Sequence, residues 1–137
     1  MARDKIHGAI KQALIKDGWT ITHDPYHLTY EDDTVYVDLA AEQPFTAEKD
    51  HKKILVEIKS FISHSPFRDF QQALGQCTLY QSWLLFTQSE YQLYLAVSTA
   101  AHQRIFSRKS IEDVRQRFNI PLIVVDITTE EVSSWIE

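Results

Sequence analysis

The stretch VYVDLAAEQPFTAEKDHKKILVEIK, which runs from Val35 to Lys59, decides the fold expected for this chain. Apolar and polar residues alternate in its two halves, and this alternation predicts two β-strands that each bury one face. In the first strand Val35, Val37 and Leu39 are expected on one side and Asp38 on the other. The stretch therefore predicts a β-hairpin at the centre of the domain.

The second half of the stretch sets the pairing of this hairpin. Ile54, Val56 and Ile58 are expected on one side of the second strand, with Glu57 and Lys59 on the other. The register that brings the polar residues together gives the pairs Asp38–Glu57, Ala40–Leu55 and Glu42–Lys53, with the turn near Thr46 to Asp50.

Asp38, Glu57 and Lys59 would then form one patch of two carboxylates and an ammonium group. Neighbouring carboxylates repel each other, and a divalent cation relieves that repulsion. Mg²⁺, or Mn²⁺ as its substitute, takes oxygen ligands, and the backbone carbonyl of Ile58 is a third donor. Lys59 is placed to hold an attacking water and to offset charge in the transition state. The patch indicates metal-assisted phosphodiester hydrolysis, although the pattern alone also fits a solvated edge of a two-stranded ribbon.

The composition is that of one ordinary globular domain. Its 137 residues are 44% hydrophobic, which is enough for a single domain over residues 1–137 with its own core. The single cysteine, Cys77, cannot form an internal disulfide, and no apolar run approaches the roughly 20 residues of a membrane span, so a cytoplasmic protein without a membrane partner is expected. The net charge of −5 argues against bulk electrostatic binding of nucleic acid. A local basic strip remains open, drawn from Arg3, Lys5, Lys11, Lys49, Lys52, Lys53 and Arg68.

Helices and further strands are expected around the hairpin. A first helix is predicted from Arg3 to Asp17, ended by Gly18, and a long helix from Phe67 to about Phe86, capped by Ser65. Gly75 within the long helix suggests close packing against the sheet. Strands are predicted over 19–22, 26–30, 91–97 and 120–127, and helices over 100–106 and 110–118, with Ser110 as an N-cap. Residues 128–136 fit either a short helix or a return strand, and the whole predicts an α/β domain with a mixed sheet flanked by helices.

This order of elements resembles the restriction-endonuclease-like, or PD-(D/E)xK, nuclease superfamily, with an acid on one central strand and E-x-K on the next. The stretch from Gln76 to Tyr80 also matches the Q-x-x-x-Y pattern of its RecB-like branch. The resemblance implies that Asp38 and Glu57 bind the metal, that Lys59 is catalytic, and that Gln76 and Tyr80 support the substrate or the active site. The proline that often precedes the aspartate is absent here.

A closer resemblance, to the XisH family, covers nearly the whole chain. Its residues are MARDKIH at the start, ALIKDGWTITHDPY from Ala13, DLAAE from Asp38, VEIKSF from Val56, ALGQCTLY from Ala73, LYLAVS from Leu93 and VVDI from Val124. Members are named as controlling factors for excision of a DNA element, often encoded beside a XisI-type protein. The resemblance implies DNA as a partner, a XisI-like protein or recombinase as another, and a homodimer as one arrangement.

One residue departs from the family pattern. Gly8 stands on the first helix where an acid is usual, and many nucleases of the superfamily use such an acid to complete the metal shell; Asp4, one turn earlier, is the substitute to consider. Three functions therefore remain open from the sequence. The chain is a Mg²⁺-dependent nuclease that takes part in DNA excision, or a non-catalytic regulatory or binding module of the same fold. The third alternative is a toxin- or defence-like nuclease that is released from an inhibiting partner.

Overall fold

The structure is a computed structural model that describes residues 2–44 and 51–137, with side chains from residue 5 onward. The expected hairpin turn lies outside the described residues, as do the side chains of Arg3, Asp4 and Lys49. The elements in chain order are α1 (Ala2–Lys16), β1 (Thr20–His23), β2 (Tyr26–Tyr30), β3 (Asp33–Val37), β4 (Leu39–Pro44), β5 (His51–Ile58), α2 (Pro66–Phe86), β6 (Tyr91–Ser98), α3 (Thr99–Ile105), α4 (Lys109–Arg117), β7 (Leu122–Asp126) and β8 (Glu131–Ile136).

Six of the strands form one mixed sheet in the order β1-β4-β5-β6-β7-β8. Strands β5, β6 and β7 run parallel to one another, and the outer pairs β1/β4, β4/β5 and β7/β8 are antiparallel. Strands β2 and β3 form a separate two-stranded sheet. The predicted α/β class, with a mixed sheet flanked by helices, is confirmed.

The sheet separates two apolar cores. One face packs against α1, where Ile10 and Leu14 contact residues such as Ile54 and Val56 of β5. The other face packs against α2, α3 and α4, and it includes Leu55. Strand β5 alternates between the two cores, as the period-two pattern requires, and Glu57 near its end is the buried charged residue of this strand.

The first helix ends where the sequence indicates. Gly18 has φ +93°, a left-handed conformation that glycine adopts without strain. The Gly18 N–H donates to the Ile15 carbonyl and the Trp19 N–H to the Leu14 carbonyl, which is the hydrogen-bond pattern of a Schellman cap. The cap turns the chain directly into β1. In the described part of the chain, no helix is long and apolar enough to cross a membrane.

The predicted central hairpin is confirmed in its register and wrong in its first strand. Ala40 pairs with Leu55 and Glu42 with Lys53, as expected. The strand, however, breaks at a bend at Asp38, so β3 and β4 belong to different sheets. Val37 and Leu39 are consequently buried in opposite cores rather than on one side, and Asp38 has no partner in the ladder. The alternation in sequence cannot reveal this bend because it reads the same on either side of it.

Three smaller predictions are settled by the structure. Residues 131–136 form strand β8, which pairs with β7, so the return strand is the correct alternative for the tail. Gly75 is exposed with no atom within 4 Å of a built Cβ, so its predicted close packing is wrong. The N-cap of α4 is Arg108 rather than Ser110, and it makes no side-chain capping bond.

Candidate active site at the carboxyl end of strand β5

Asp38 is positioned by the bend between β3 and β4. Its Oδ2 accepts a hydrogen bond from the Ile58 backbone N–H at 2.8 Å. A carboxylate that accepts a backbone N–H forms a charge-assisted bond, which is stronger than a neutral one. The bond fixes Asp38 against the last residue of β5, next to Glu57, and thereby brings the two predicted acids to one place although they are not ladder partners.

Glu57 and Lys59 project from one side of the end of β5. Glu57 is only 5% exposed, and its Oε2 lies 3.7 Å from the Lys59 Nζ. The Lys59 side chain is 22% exposed. The backbone N–H of Lys59 donates to the Ala96 carbonyl of the neighbouring parallel strand. A buried carboxylate is costly unless it is paired, so the ammonium group compensates Glu57 while remaining open to solvent.

Helix α2 supplies the opposite wall of the site. It begins as predicted, with the Ser65 side chain accepting from the Arg68 N–H and Pro66 at the first position. Gln76 and Tyr80 lie one turn apart on it, and Tyr80 is 4% exposed. The Gln76 Oε1 is buried and has no hydrogen-bond partner among the described residues. A buried carbonyl oxygen without a partner is unusual in a folded protein.

The electrostatics of Tyr80 and Cys77 indicate that these helix residues lie near the strand residues Glu57 and Lys59. Burial raises the pKa of the Tyr80 hydroxyl well above its usual value, and the Glu57, Cys77 and Asp38 groups raise it further. Burial also raises the pKa of the Cys77 thiol to about 12, with Glu57 acting in the same direction and Lys59 in the opposite one. Both groups therefore stay protonated near neutral pH. Tyr80 is accordingly available as a hydrogen-bond donor beside two carboxylates rather than as a base.

The donor atoms suit a hard divalent cation. Asp38 and Glu57 offer carboxylate oxygens, and the Ile58 carbonyl is a neutral oxygen donor next to Glu57 in the chain. Mg²⁺ is usually held by one or two carboxylates together with water and substrate phosphate. In the part of the chain that the structure describes, no group of three or more His, Cys, Asp or Glu side chains could hold a metal ion. Among the described side chains, Asp38 and Glu57 are thus the candidate acidic ligands of this site.

The structure brings Asp38, Glu57 and Lys59 together near Tyr80, and Gln76 lies one turn earlier on the same helix. It also adds neighbours that the sequence did not indicate. Cys77 lies within the electrostatic reach of Glu57, and Arg104 of α3 donates a hydrogen bond to the Phe61 carbonyl just beyond Lys59. Neither contact has a signal in the spacing of residues, because both depend on how α2 and α3 pack on the sheet. Gly8 on α1 is half-buried, with no atom within 4 Å of a built Cβ.

Comparisons with known proteins identify relatives of the whole chain. A family model described as XisH protein matches residues 1–133. The crystal structure of a XisH family protein from Nostoc punctiforme is 32% identical, has a TM-score of 0.87, and is matched over 97% of this chain and 99% of its own. The crystal structure of a fdxN element excision controlling factor from Anabaena variabilis is 31% identical, with a TM-score of 0.87 and coverage of 98% and 99%. No match was found among curated proteins.

Proposed function

Because this chain belongs to the XisH family, we propose that it takes part in the excision of a DNA element as a Mg²⁺-dependent nuclease of the restriction-endonuclease-like fold. One relative of similar structure carries the name fdxN element excision controlling factor. The single observation that supports a catalytic role is the assembly at the end of β5. Two acids and a lysine meet there, although they come from a bend and a strand, and the two acids also act on the Tyr80 hydroxyl of helix α2.

The proposed roles follow from where each group lies. Asp38 and Glu57 would hold Mg²⁺, with Mn²⁺ as substitute, together with the Ile58 carbonyl. The bound ion would supply Lewis-acid activation of a phosphodiester and would lower the pKa of a water. Asp38 is already oriented for this role by the Ile58 N–H, so little ordering would be needed on binding.

Lys59 and the helix residues act on the substrate side. The Lys59 ammonium is held beside Glu57 yet is partly exposed, so it would orient an attacking water and stabilise charge that develops on the phosphate oxygens. Gln76 and Tyr80 would support the substrate by hydrogen bonds, since the phenol stays protonated beside the carboxylates. DNA is the proposed substrate, and a XisI-like protein or a recombinase the proposed partner. A homodimer is the arrangement that would allow both strands to be cut.

Cleavage of linear, supercoiled and branched DNA with Mg²⁺ or Mn²⁺ tests this proposal. We expect cleavage by the wild-type protein, and its loss in Glu57→Gln and in Lys59→Met. Glu90→Gln is the matched control, because Glu90 is an exposed acid near the opposite end of the sheet and pairs with Lys53. Equal cleavage by the wild type and both site variants would show that a contaminant, and not this site, cuts the DNA.

The second candidate function is a non-catalytic DNA or partner-binding module. The observation in its favour is that Asp38 already accepts a backbone N–H and Glu57 already lies beside Lys59, which is what a purely structural use of these residues would also produce. This alternative predicts that binding to a XisI-like protein or to element ends survives Glu57→Gln. It also predicts no heat on titration of the protein with Mn²⁺.

A further inference from the structure

Three exposed arginines lie around the end of the sheet that carries the candidate site. Strands β5 and β6 are parallel, with Ile58 beside Ala96, so their carboxyl ends meet at one edge. The chain that leaves β5 leads to Arg68 in the first turn of α2, and the chain that leaves β6 forms α3 and reaches Arg104 and Arg108. All three arginines are exposed.

Arg104 is fixed in place by the segment that follows Lys59. Its Nη2 donates to the carbonyl of Phe61, a buried residue with φ +53°. This left-handed conformation is costly for a bulky side chain, and it persists where the surroundings hold it. The Phe61 ring packs edge-on against Phe106 at 5.6 Å, so the strained residue is held from both sides. One guanidinium edge is thereby oriented two residues from the catalytic lysine of the proposed site.

Arg108 and Arg68 continue the same surface. The Arg108 guanidinium lies 4.9 Å from the centre of the Phe67 ring, a cation–π contact that ties the start of α4 to the start of α2. Arg68 is the next residue along α2, and its backbone N–H is held by the Ser65 cap. The guanidinium groups of Arg104 and Arg108 are therefore held by defined contacts, and the backbone of Arg68 is held in the capped first turn of α2.

None of these arginines forms an ion pair within the described residues, in contrast to most other cations whose positions are known. Lys11, Lys53, Lys109 and Arg115 each have a carboxylate within 3.2 Å. The chain as a whole carries a net charge of −5. Three arginines without ion pairs among the described residues therefore make this edge of the sheet locally positive in an acidic protein. Such local charge attracts an anionic partner even when the net charge does not.

We propose that Arg68, Arg104 and Arg108 form a binding surface for the phosphate backbone of duplex DNA, which leads the strand into the site of Asp38, Glu57 and Lys59. This rests on the proposed function for the identity of the substrate. Arginine suits this task because its planar group donates to two phosphate oxygens at once. Backbone contacts of this kind position DNA without reading its sequence.

Binding of a short fluorescein-labelled duplex, measured by anisotropy in EDTA, tests the surface without any metal or cleavage. The salt dependence is the decisive quantity, because each phosphate that the protein no longer neutralises reduces the slope of log K against log salt by about 0.9. We expect each of Arg68→Gln, Arg104→Gln and Arg108→Gln to weaken binding and to reduce the slope by about that amount, measured between about 50 and about 200 mM KCl.

Two further variants separate charge from structure. Arg117→Gln removes an exposed guanidinium at the far end of α4, nine residues and roughly 13 Å from Arg108, and should leave the slope unchanged. Arg104→Lys keeps the positive charge and should retain most of the slope, which a purely structural role of the Phe61 contact would not predict. Circular dichroism and thermal unfolding identify any variant that fails to fold.

The outcomes distinguish this surface from the proposed nuclease activity. The wild type could bind the duplex with a steep salt slope that the three substitutions reduce, yet never cleave DNA. This result would support the proposed binding surface and contradict the nuclease proposal. If the wild type cleaves and the three variants bind with unchanged slope, the surface is overturned and the nuclease proposal stands. A wild type that does not bind the duplex, or an Arg117→Gln variant whose slope falls as much as that of the others, also overturns the surface.

Discussion

Substitution of Asp38 separates its structural contact from its proposed role as a metal ligand. Asp38→Ala removes the acceptor of the Ile58 N–H, whereas Asp38→Asn keeps a neutral acceptor of the same shape. A hydrogen bond to a charged group contributes about 1.5–3 kcal/mol and a neutral one about 1 kcal/mol. Because Ile58 is only partly buried and water partly replaces the missing acceptor, we expect a loss of about 2 kcal/mol for alanine and about 1 kcal/mol for asparagine.

Thermal unfolding gives the measurement. For a domain of this size 1 kcal/mol corresponds to roughly 4 °C in Tm, so alanine should lower Tm by about 8 °C and asparagine by about 4 °C. Asp113→Ala is the control, because this exposed acid pairs with an exposed lysine and should cost less than about 0.5 kcal/mol. If the Asp38–Ile58 hydrogen bond stabilises the fold, Tm should decrease in the order wild type, asparagine variant, alanine variant.

Repetition of the scans with Mn²⁺ tests the proposed metal role. A ligand that binds only the folded state stabilises it by an amount that grows with the logarithm of ligand concentration over Kd, so the Tm of the wild type should rise with Mn²⁺. Neither variant should gain as much, although the asparagine variant keeps its hydrogen bond. Equal Tm values for all three proteins without metal would refute the stabilising role of the Asp38–Ile58 bond. An alanine variant that Mn²⁺ stabilises as strongly as the wild type would show that Asp38 is not a ligand.

Three further predictions concern the surroundings of the site. Gly8→Ala should stabilise α1 by about 1 kcal/mol, since a Cβ at this position would meet no side chain or other element within 4 Å. If an acid on this helix completes the metal shell, Gly8→Glu should also strengthen the binding of Mn²⁺ measured by calorimetry. The Cys77 thiol, with a pKa raised to about 12 by burial, should react with DTNB roughly 10³-fold more slowly than a free thiol at pH 8 until the protein unfolds. Hydrogen bonds from Arg115 hold the pKa of Glu112 below its usual value, so the stabilisation from this pair is present above that value and is lost as the pH falls through the lowered pKa. Glu112→Gln should therefore cost about 3 kcal/mol at pH 7 in urea unfolding, because the Arg115 side chain is only 3% exposed, and the difference from the wild type should shrink in acid. A deficit that stays constant down to low pH would contradict this assignment.

Much of the architecture follows from local patterns. The stripe of Ile10 and Leu14 on α1, the Gly18 stop and the Ser65 cap depend only on residues within a few positions of one another. The register of β4 and β5 was also predicted, because a shift by one residue would move every buried side chain of a strand to the other face. The candidate side chains were identified for a similar reason, since E-x-K and Q-x-x-x-Y are spacings along single elements.

The contacts across elements were decided only by the tertiary structure. The bend at Asp38 replaces a ladder pair with a bond to the Ile58 N–H, and it divides one predicted strand between two sheets. Alternation has the same period on both sides of such a bend, so the pattern cannot mark it. The placement of Arg104 and Arg108 beside α2 likewise depends on how three helices pack over one face of the sheet.

The stretch from Val35 to Lys59 thus determined by itself which residues are the candidates for a site: two acids and a lysine near the end of a buried strand. Only the tertiary structure decided how they meet, because the distance between side chains on different elements depends on packing that no local spacing encodes. It also decided what surrounds them, namely the buried Tyr80 of α2 and the exposed arginines at the same edge of the sheet.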